Sequence, residues 1–127
     1  MLNGKKILVV DDNDINIFAL SASLKRKGPM LAIAKDGQEC LNYLKDNPEI
    51  DLVLLDMMMP VMDGYQTLAV MRNDDKLKHI PVIALTAQAM LGDYEKCLSA
   101  GADDYCSKPV NIETLLSKIY TLLHIEA

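Results

Sequence analysis

Short apolar runs punctuate this chain, and the stretches between them carry apolar residues at helical spacing. Ile7-Leu8-Val9-Val10, Leu52-Val53-Leu54-Leu55 and Val82-Ile83-Ala84-Leu85 are continuous and rich in large or β-branched residues, as strands buried on both faces of a parallel sheet are. Two weaker strands are predicted, one about Met30 to Ala34 and one over the short segment Asp103 to Cys106. Asp14 to Lys27 reads as a helix with Ile17, Leu20 and Leu24 on one face and Gly28-Pro29 as its stop signal. Asp36-Gly37-Gln38-Glu39 has the spacing of a capping box and opens a second helix, with Cys40, Leu41 and Leu44 inward and Asn47-Pro48 at its end. Asp63-Gly64-Tyr65-Gln66 repeats that spacing before a helix with Tyr65, Leu68 and Arg72 in register. A fourth helix is expected from about Gln88 to Ala100, with Met90, Tyr94, Cys97 and Leu98 on one stripe and Gly101 as its C′ residue. The last, Ile112 to His124, repeats Ile112, Leu115, Leu116, Ile119, Leu122 and Leu123 at the 3.6 period, with Asn111 as N-cap. Strands alternating with such helices imply right-handed crossovers and a parallel sheet covered on both faces. The expected fold is therefore α/β, a five-stranded doubly wound three-layer sandwich.

The ends of the strands carry the polar residues. Asp11 and Asp12 follow the first run, Asp56 ends the third strand, Thr86 follows the fourth, and Lys108 the fifth. In an open α/β sheet this carboxyl edge is where ligands bind. Composition narrows what such a pocket can be. The 127 residues, 50% hydrophobic and 24% charged, suit one globular domain with a full core. With no repeat, linker or low-complexity segment, 1–127 is expected to be a single domain without an output domain. No apolar run approaches the ~20 residues that span a bilayer, and Met1 to Lys6 leads into a strand rather than a signal-peptide core; no membrane role and a cytoplasmic location are expected. A net charge of -5 offers no basic surface for direct nucleic-acid binding. Cys40, Cys97 and Cys106, odd in number and outside any C-x-x-C, read as reduced, packed thiols.

Residue chemistry then suggests a reaction. Asp11, Asp12 and Asp56 would raise one another's pKa unless a cation sat among them, and oxygen-only ligands favour Mg²⁺ with waters and a phosphate completing its shell. The Walker pattern G-x-x-x-x-G-K-[ST] is absent, so a nucleotide is not the expected phosphate source. A carboxylate nucleophile, Asp56, attacking a phosphoryl group is simpler. Such a transfer needs in-line positioning and neutralised equatorial oxygens, which Mg²⁺, the Lys108 ammonium and the Thr86 hydroxyl could supply.

Asp11-Asp12, then Asp56 with Pro60 and Gly64 behind it, Thr86-Ala87, and Lys108-Pro109, in that order at successive strand ends, resemble the receiver domain of two-component response regulators over nearly the whole chain. The resemblance implies the flavodoxin-like strand order 2-1-3-4-5, and a phosphoryl group transferred to Asp56 from a phosphohistidine on a sensor histidine kinase or histidine phosphotransfer protein. It implies Mg²⁺ held by Asp12, Asp56 and the Met58 backbone carbonyl, with Asp11 acting mainly through a metal-bound water, Lys108 on the phosphoryl group, and a cis peptide between Lys108 and Pro109. It also implies a switch in which Thr86 is drawn to the phosphoryl group and Tyr105 moves inward. That motion would remodel the face of the fourth helix, fifth strand and fifth helix, where partners or a second copy, as a homodimer, would dock. Such a domain is not an enzyme on other molecules: it catalyses only its own phosphorylation and dephosphorylation. The Asp-Asn-Asp-Ile-Asn opening resembles receivers fused to hybrid sensor kinases or serving phosphorelays, which leaves a stand-alone protein and a domain of a longer one both open.

Each residue also has a plainer reading. Asp12 could cap the first helix, although Asn13 or Asp14 can do so instead; Thr86 and Lys108 take their meaning from Asp56; Tyr105 fits a packed strand-end tyrosine as well as a switch. Met57, Met58 and Met59 suit loop and core filling, and His79 and His124 suit solvent. Met58 and Gln88, two residues beyond Asp56 and Thr86, lie where receivers tune water access to the acyl phosphate. Met58 cannot hold an attacking water as an amide could, so slow self-dephosphorylation is expected, with Gln88 the remaining candidate. A haloacid-dehalogenase-type phosphatase would want a carboxylate where Met58 stands, and an FMN carrier a Ser/Thr/Gly-rich loop where this chain has Asp-Asp-Asn-Asp.

Overall fold

Strong apolar runs become the middle of a sheet and weaker ones its edges. In a computed structural model that describes residues 2–87 and 91–125, five parallel strands lie in the order β2-β1-β3-β4-β5. They are β1 (Lys6–Val10), β2 (Met30–Ala34), β3 (Leu52–Asp56), β4 (Val82–Thr86) and β5 (Asp104–Ser107). Every residue of β3 and β4 is buried, whereas β2 and β5 bury one residue each. The helices are α1 (Asp14–Lys25), α2 (Gly37–Asp46), α3 (Gly64–Arg72), α4 (Leu91–Ser99) and α5 (Ile112–Leu122). Alternate strand residues feed two cores. Leu8, Val53, Leu55 and Ala84 pack with Leu41, Leu44, Leu68, Met71 and Cys97 from α2, α3 and α4. Ile7, Val9, Leu54 and Ile83 pack with Leu24, Leu115 and Ile119 from α1 and α5. The three-layer, doubly wound sandwich expected from the pattern is thus the observed one.

Differences from the sequence expectation are local. Asn13 is the N-cap of α1, its side chain accepting from the Asn16 amide at 3.0 Å, and the helix stops at Lys25 before Gly28 at φ +90°. At α2, Asp36 caps the Glu39 amide at 2.8 Å, but the Glu39 carboxylate accepts from the Lys35 amide at 3.4 Å, so the reciprocal half of the expected box is missing. Both halves form at α3, Gln66 N to Asp63 Oδ1 at 2.9 Å and Asp63 N to Gln66 Oε1 at 3.0 Å. The described part of α4 begins at Leu91, so the expectations on Gln88 and Met90 fall outside the described residues. Cys97 is buried as expected, but Leu98 is exposed; Gly101, at φ +113°, ends that helix through Ala102 N to Cys97 O at 3.1 Å. β5 sits one residue later than expected and α5 ends at Leu122. All three cysteines are free and buried, and burial, with Asp36 nearby, pushes the Cys40 thiol up to about 12. His79 and His124 are exposed.

The inward face of α1 holds Ile17, Ser21 and Leu24, with Leu20 only half-buried. The Ser21 hydroxyl is buried without a hydrogen-bond partner, and an unpaired buried hydroxyl is destabilising. Ser21→Ala is therefore expected to stabilise the fold by about 1 kcal/mol, through lost desolvation and better helix propensity. Urea denaturation of the two proteins would show the midpoint rising; a lower midpoint would mean that the hydroxyl does find a partner.

Candidate functional site

The carboxyl edge of the sheet brings the strand-end residues together. Asp11 leaves β1 and is 2% exposed; Asp56 ends β3 at 3%. Asp12, between Asp11 and the cap Asn13, is exposed. One carboxylate oxygen from each of the three lies within 4.8 Å of the others. From β5's far end Lys108 reaches in, its Nζ donating to Asp11 Oδ2 at 3.0 Å and lying 3.3 Å from Asp56 Oδ2. Its backbone is held as well: the Lys108 amide donates to the Thr86 carbonyl at 2.7 Å, and Lys108-Pro109 is the cis peptide. Thr86 itself, the last residue of β4, is 2% exposed.

The loop after Asp56 is clamped onto the sheet. The Met58 amide donates to Asp56 Oδ1 at 3.0 Å, Met57 N donates to Leu85 O at 2.9 Å, and Gly64 N to Met57 O at 3.3 Å. Gly64 must be glycine here, since a Cβ would come within 2.7 Å of Met57 Cα and 2.9 Å of the Asp56 carbonyl oxygen. Met57 and Met59 are core residues, while the Met58 side chain faces solvent.

Electrostatics follow from this burial. Desolvation is the main reason that the Asp56 carboxyl lies above the ordinary carboxylate range, with Asp11 adding to it; the Met58 amide and Lys108 pull downward without prevailing. For Lys108, burial works against the charge, but the hydrogen bond to Asp11 and the charges of Asp56 and Asp11 outweigh it and hold the ammonium above its usual range. Among the described residues, Lys108 thus pairs with two of the three clustered carboxylates, Asp11 and Asp56, and Asp12 adds a third negative charge beside them. The excess negative charge and the oxygen-only donors fit a hard divalent cation such as Mg²⁺.

Sequence reading gathered Asp11, Asp12, Asp56, Thr86 and Lys108 correctly onto one edge, but it missed the direct Lys108–Asp11 pair. It also passed over Ile15 and Phe18, which stand in the first half of α1 at 79% and 76% exposure. The signal was there: both lie off the Ile17–Leu24 face that the helical period buries.

Fold and pocket together define a class, a doubly wound domain whose carboxyl edge joins buried carboxylates to a lysine. The chain belongs to the response regulator receiver domain family, whose model matches residues 7–120, and so is a signalling domain of the two-component, phosphorelay kind. It is 37% identical over 123 residues to hybrid signal transduction histidine kinase I of Dictyostelium discoideum, covering 92% of this chain but 7% of that protein. It is 32% identical to the polar-differentiation response regulator DivK of Brucella anthropi, covering 94% of this chain and 96% of DivK. Among solved structures it resembles, with TM-score 0.85 and 29% identity, a chain in the complex of the Saccharomyces cerevisiae histidine phosphotransfer protein Ypd1 with the receiver domain of Ssk1, covering 94% of this chain and 89% of that one. No helix among the described residues is long and apolar enough to cross a membrane.

Proposed function

We propose that Asp56 is the phosphoacceptor of a receiver switch. The observation that carries this reading is a buried carboxylate at the end of a central strand, 3.3 Å from the Lys108 ammonium and within 4.8 Å of two further carboxylates. An Asp56 oxygen attacks the phosphorus of a phosphohistidine, the P–N bond breaks, and its electron pair returns to the partner's imidazole, leaving an acyl phosphate on Asp56. Lys108 trades carboxylate contacts for phosphoryl oxygens, and the Thr86 hydroxyl, on the neighbouring strand end, donates to another. Asp12, Asp56 and the Met58 carbonyl would hold Mg²⁺, with Asp11 contributing mainly through water, and the ion would neutralise phosphoryl charge. Tyr105 is the switch residue that follows Thr86 inward. The phosphoryl group stays on the domain until water removes it, so the domain acts only on itself.

The partner would be a sensor histidine kinase or a histidine phosphotransfer protein, and a cytoplasmic location would suit such an exchange. Residues 1–127 form one receiver domain. The face of α4, β5 and α5 would serve a partner or a second copy as a homodimer. Exposed Ile15 and Phe18 suit an apolar contact with the phosphohistidine donor. Phe18→Ala is accordingly expected to slow transfer from such a protein roughly tenfold, as loss of one large interface side chain does, while leaving phosphorylation by acetyl phosphate unchanged.

Intact mass after incubation with Mg²⁺ and acetyl phosphate, beside Asp56→Asn, tests the acceptor. A gain of one phosphoryl group by the parent alone is expected. The same gain by both proteins would move the acceptor elsewhere.

A further inference from the structure

Tyr105 does not stand alone at the rim of β5. Its ring is stacked on that of Tyr94 from α4, with centroids 4.0 Å apart and planes at 15°. The Lys118 ammonium from α5 lies 4.5 Å from the centroid of the same ring. Lys118 is itself fixed, its Nζ donating to the Tyr105 carbonyl at 2.6 Å and to Asp104 Oδ1 at 3.0 Å. The Tyr105 ring is therefore held by an aromatic from one helix and a cation from the next.

Register shows where the ring would travel. Tyr105 pairs with Ala84, and Thr86 with Ser107; paired residues and residues two apart share a face. Tyr105 and Thr86 thus lie on the α4 side of the sheet, where Tyr105, partly buried, packs against the core cluster that includes Ala84 and Cys97. A ring that moved inward along this face toward Thr86 would have to leave the position in which it meets Tyr94 and the Lys118 ammonium.

We propose that Tyr94 is a positioning residue of the switch: by stacking on Tyr105 it holds the ring outward and so lowers the affinity of the Asp56 site for a phosphoryl group. This rests on the reading of Asp56 and Tyr105 given above. Contacts made only in the outward state favour that state, and coupling between the ring and the site is reciprocal. An aromatic pair of this geometry makes the inward state roughly three- to tenfold rarer.

The test is the affinity of Mg²⁺ with beryllofluoride, a phosphoryl mimic, for the parent, Tyr94→Leu, Tyr94→Phe, Tyr105→Leu and the Tyr94→Leu/Tyr105→Leu double variant. Tyr94→Leu is expected to bind about three- to tenfold more tightly. Tyr94→Phe keeps the ring and should match the parent, and in the Tyr105→Leu background the Tyr94 change should do nothing. Proton NMR of the Lys118 methylene next to Nζ gives a second readout: the ring current that shifts it in the free parent should fade on saturation with beryllofluoride and be absent in Tyr105→Leu. Equal affinities in parent and Tyr94→Leu, or an equal gain in both backgrounds, overturns the inference and leaves the acceptor reading intact. A parent that binds no beryllofluoride overturns the acceptor reading, and this inference with it.

Discussion

Lys108→Met is expected to destabilise the domain by about 2–3 kcal/mol in EDTA and to slow phosphorylation by acetyl phosphate about 10²–10³-fold. Both effects come from one ammonium. In the folded protein it pairs with Asp11 at 3.0 Å and Asp56 at 3.3 Å, carboxylates that are almost wholly buried. Removing one partner of a buried pair costs about 3–5 kcal/mol because the other charge is left uncompensated; the figure is set lower here because the Lys108 side chain is 20% exposed and water can enter. Methionine keeps most of the stem's volume, so the loss reports charge rather than packing. The kinetic loss follows from removing a preorganised donor aimed at charge that grows in transfer. Urea denaturation with and without Mg²⁺ separates the two. Added Mg²⁺ should restore more stability to the variant than to the parent, since a ligand that binds only the folded state stabilises by mass action and in the variant Asp11 and Asp56 have lost their lysine. Equal Mg²⁺ stabilisation of the two proteins would mean that Lys108 does not share the acidic site.

The strands could be read from the sequence because continuous apolar runs leave a chain few places to go: Val53, Leu54 and Leu55 are all fully buried, on alternating faces. The gathering of Asp11, Asp56, Thr86 and Lys108 at one edge was legible for a related reason, since each comes at or just after the end of a strand and a parallel sheet aligns all such ends. What sequence could not supply was pairing between residues far apart in the chain. Asp11 and Lys108 are 97 residues apart, and no local rule says which of two adjacent carboxylates turns inward to meet the lysine. The Asp36–Glu39 spacing shows the opposite limit: a pattern that permits a reciprocal box does not enforce one, because the Glu39 side chain also reaches the Lys35 amide. Leu98 is exposed on a predicted stripe because Cys97, one residue earlier, takes the inward position.

At the opposite end of the sheet, Arg72→Ala is expected to cost about 3–4 kcal/mol and to lower the melting temperature by roughly 10–15 °C. Arg72 ends α3, and helical register alone gave no hint of its reach. Its Nε donates to Gly101 O at 2.8 Å, one terminal nitrogen to Lys78 O at 3.0 Å and Ile80 O at 2.9 Å, and the other to Asp103 Oδ2 at 3.0 Å. That same Asp103 oxygen accepts the Val82 amide at 2.8 Å. One guanidinium thus ties the end of α3 to the entrances of β4 and β5. Hydrogen bonds to a charged donor contribute about 1.5–3 kcal/mol each, but they share one group and do not add, and the half-exposed Asp103 can recover water. Lysine offers a point charge without the planar fork, so Arg72→Lys should recover less than half of the loss. Both variants should still take up a phosphoryl group at temperatures where they remain folded, because the clip lies at the sheet end away from Asp56. If thermal melts put Arg72→Ala within 1 kcal/mol of the parent, the four bonds do not act as a clip. If Arg72→Ala melts low and also fails to be phosphorylated while folded, the two ends of the sheet are coupled, and the order of strands alone does not insulate the acidic pocket from its far edge.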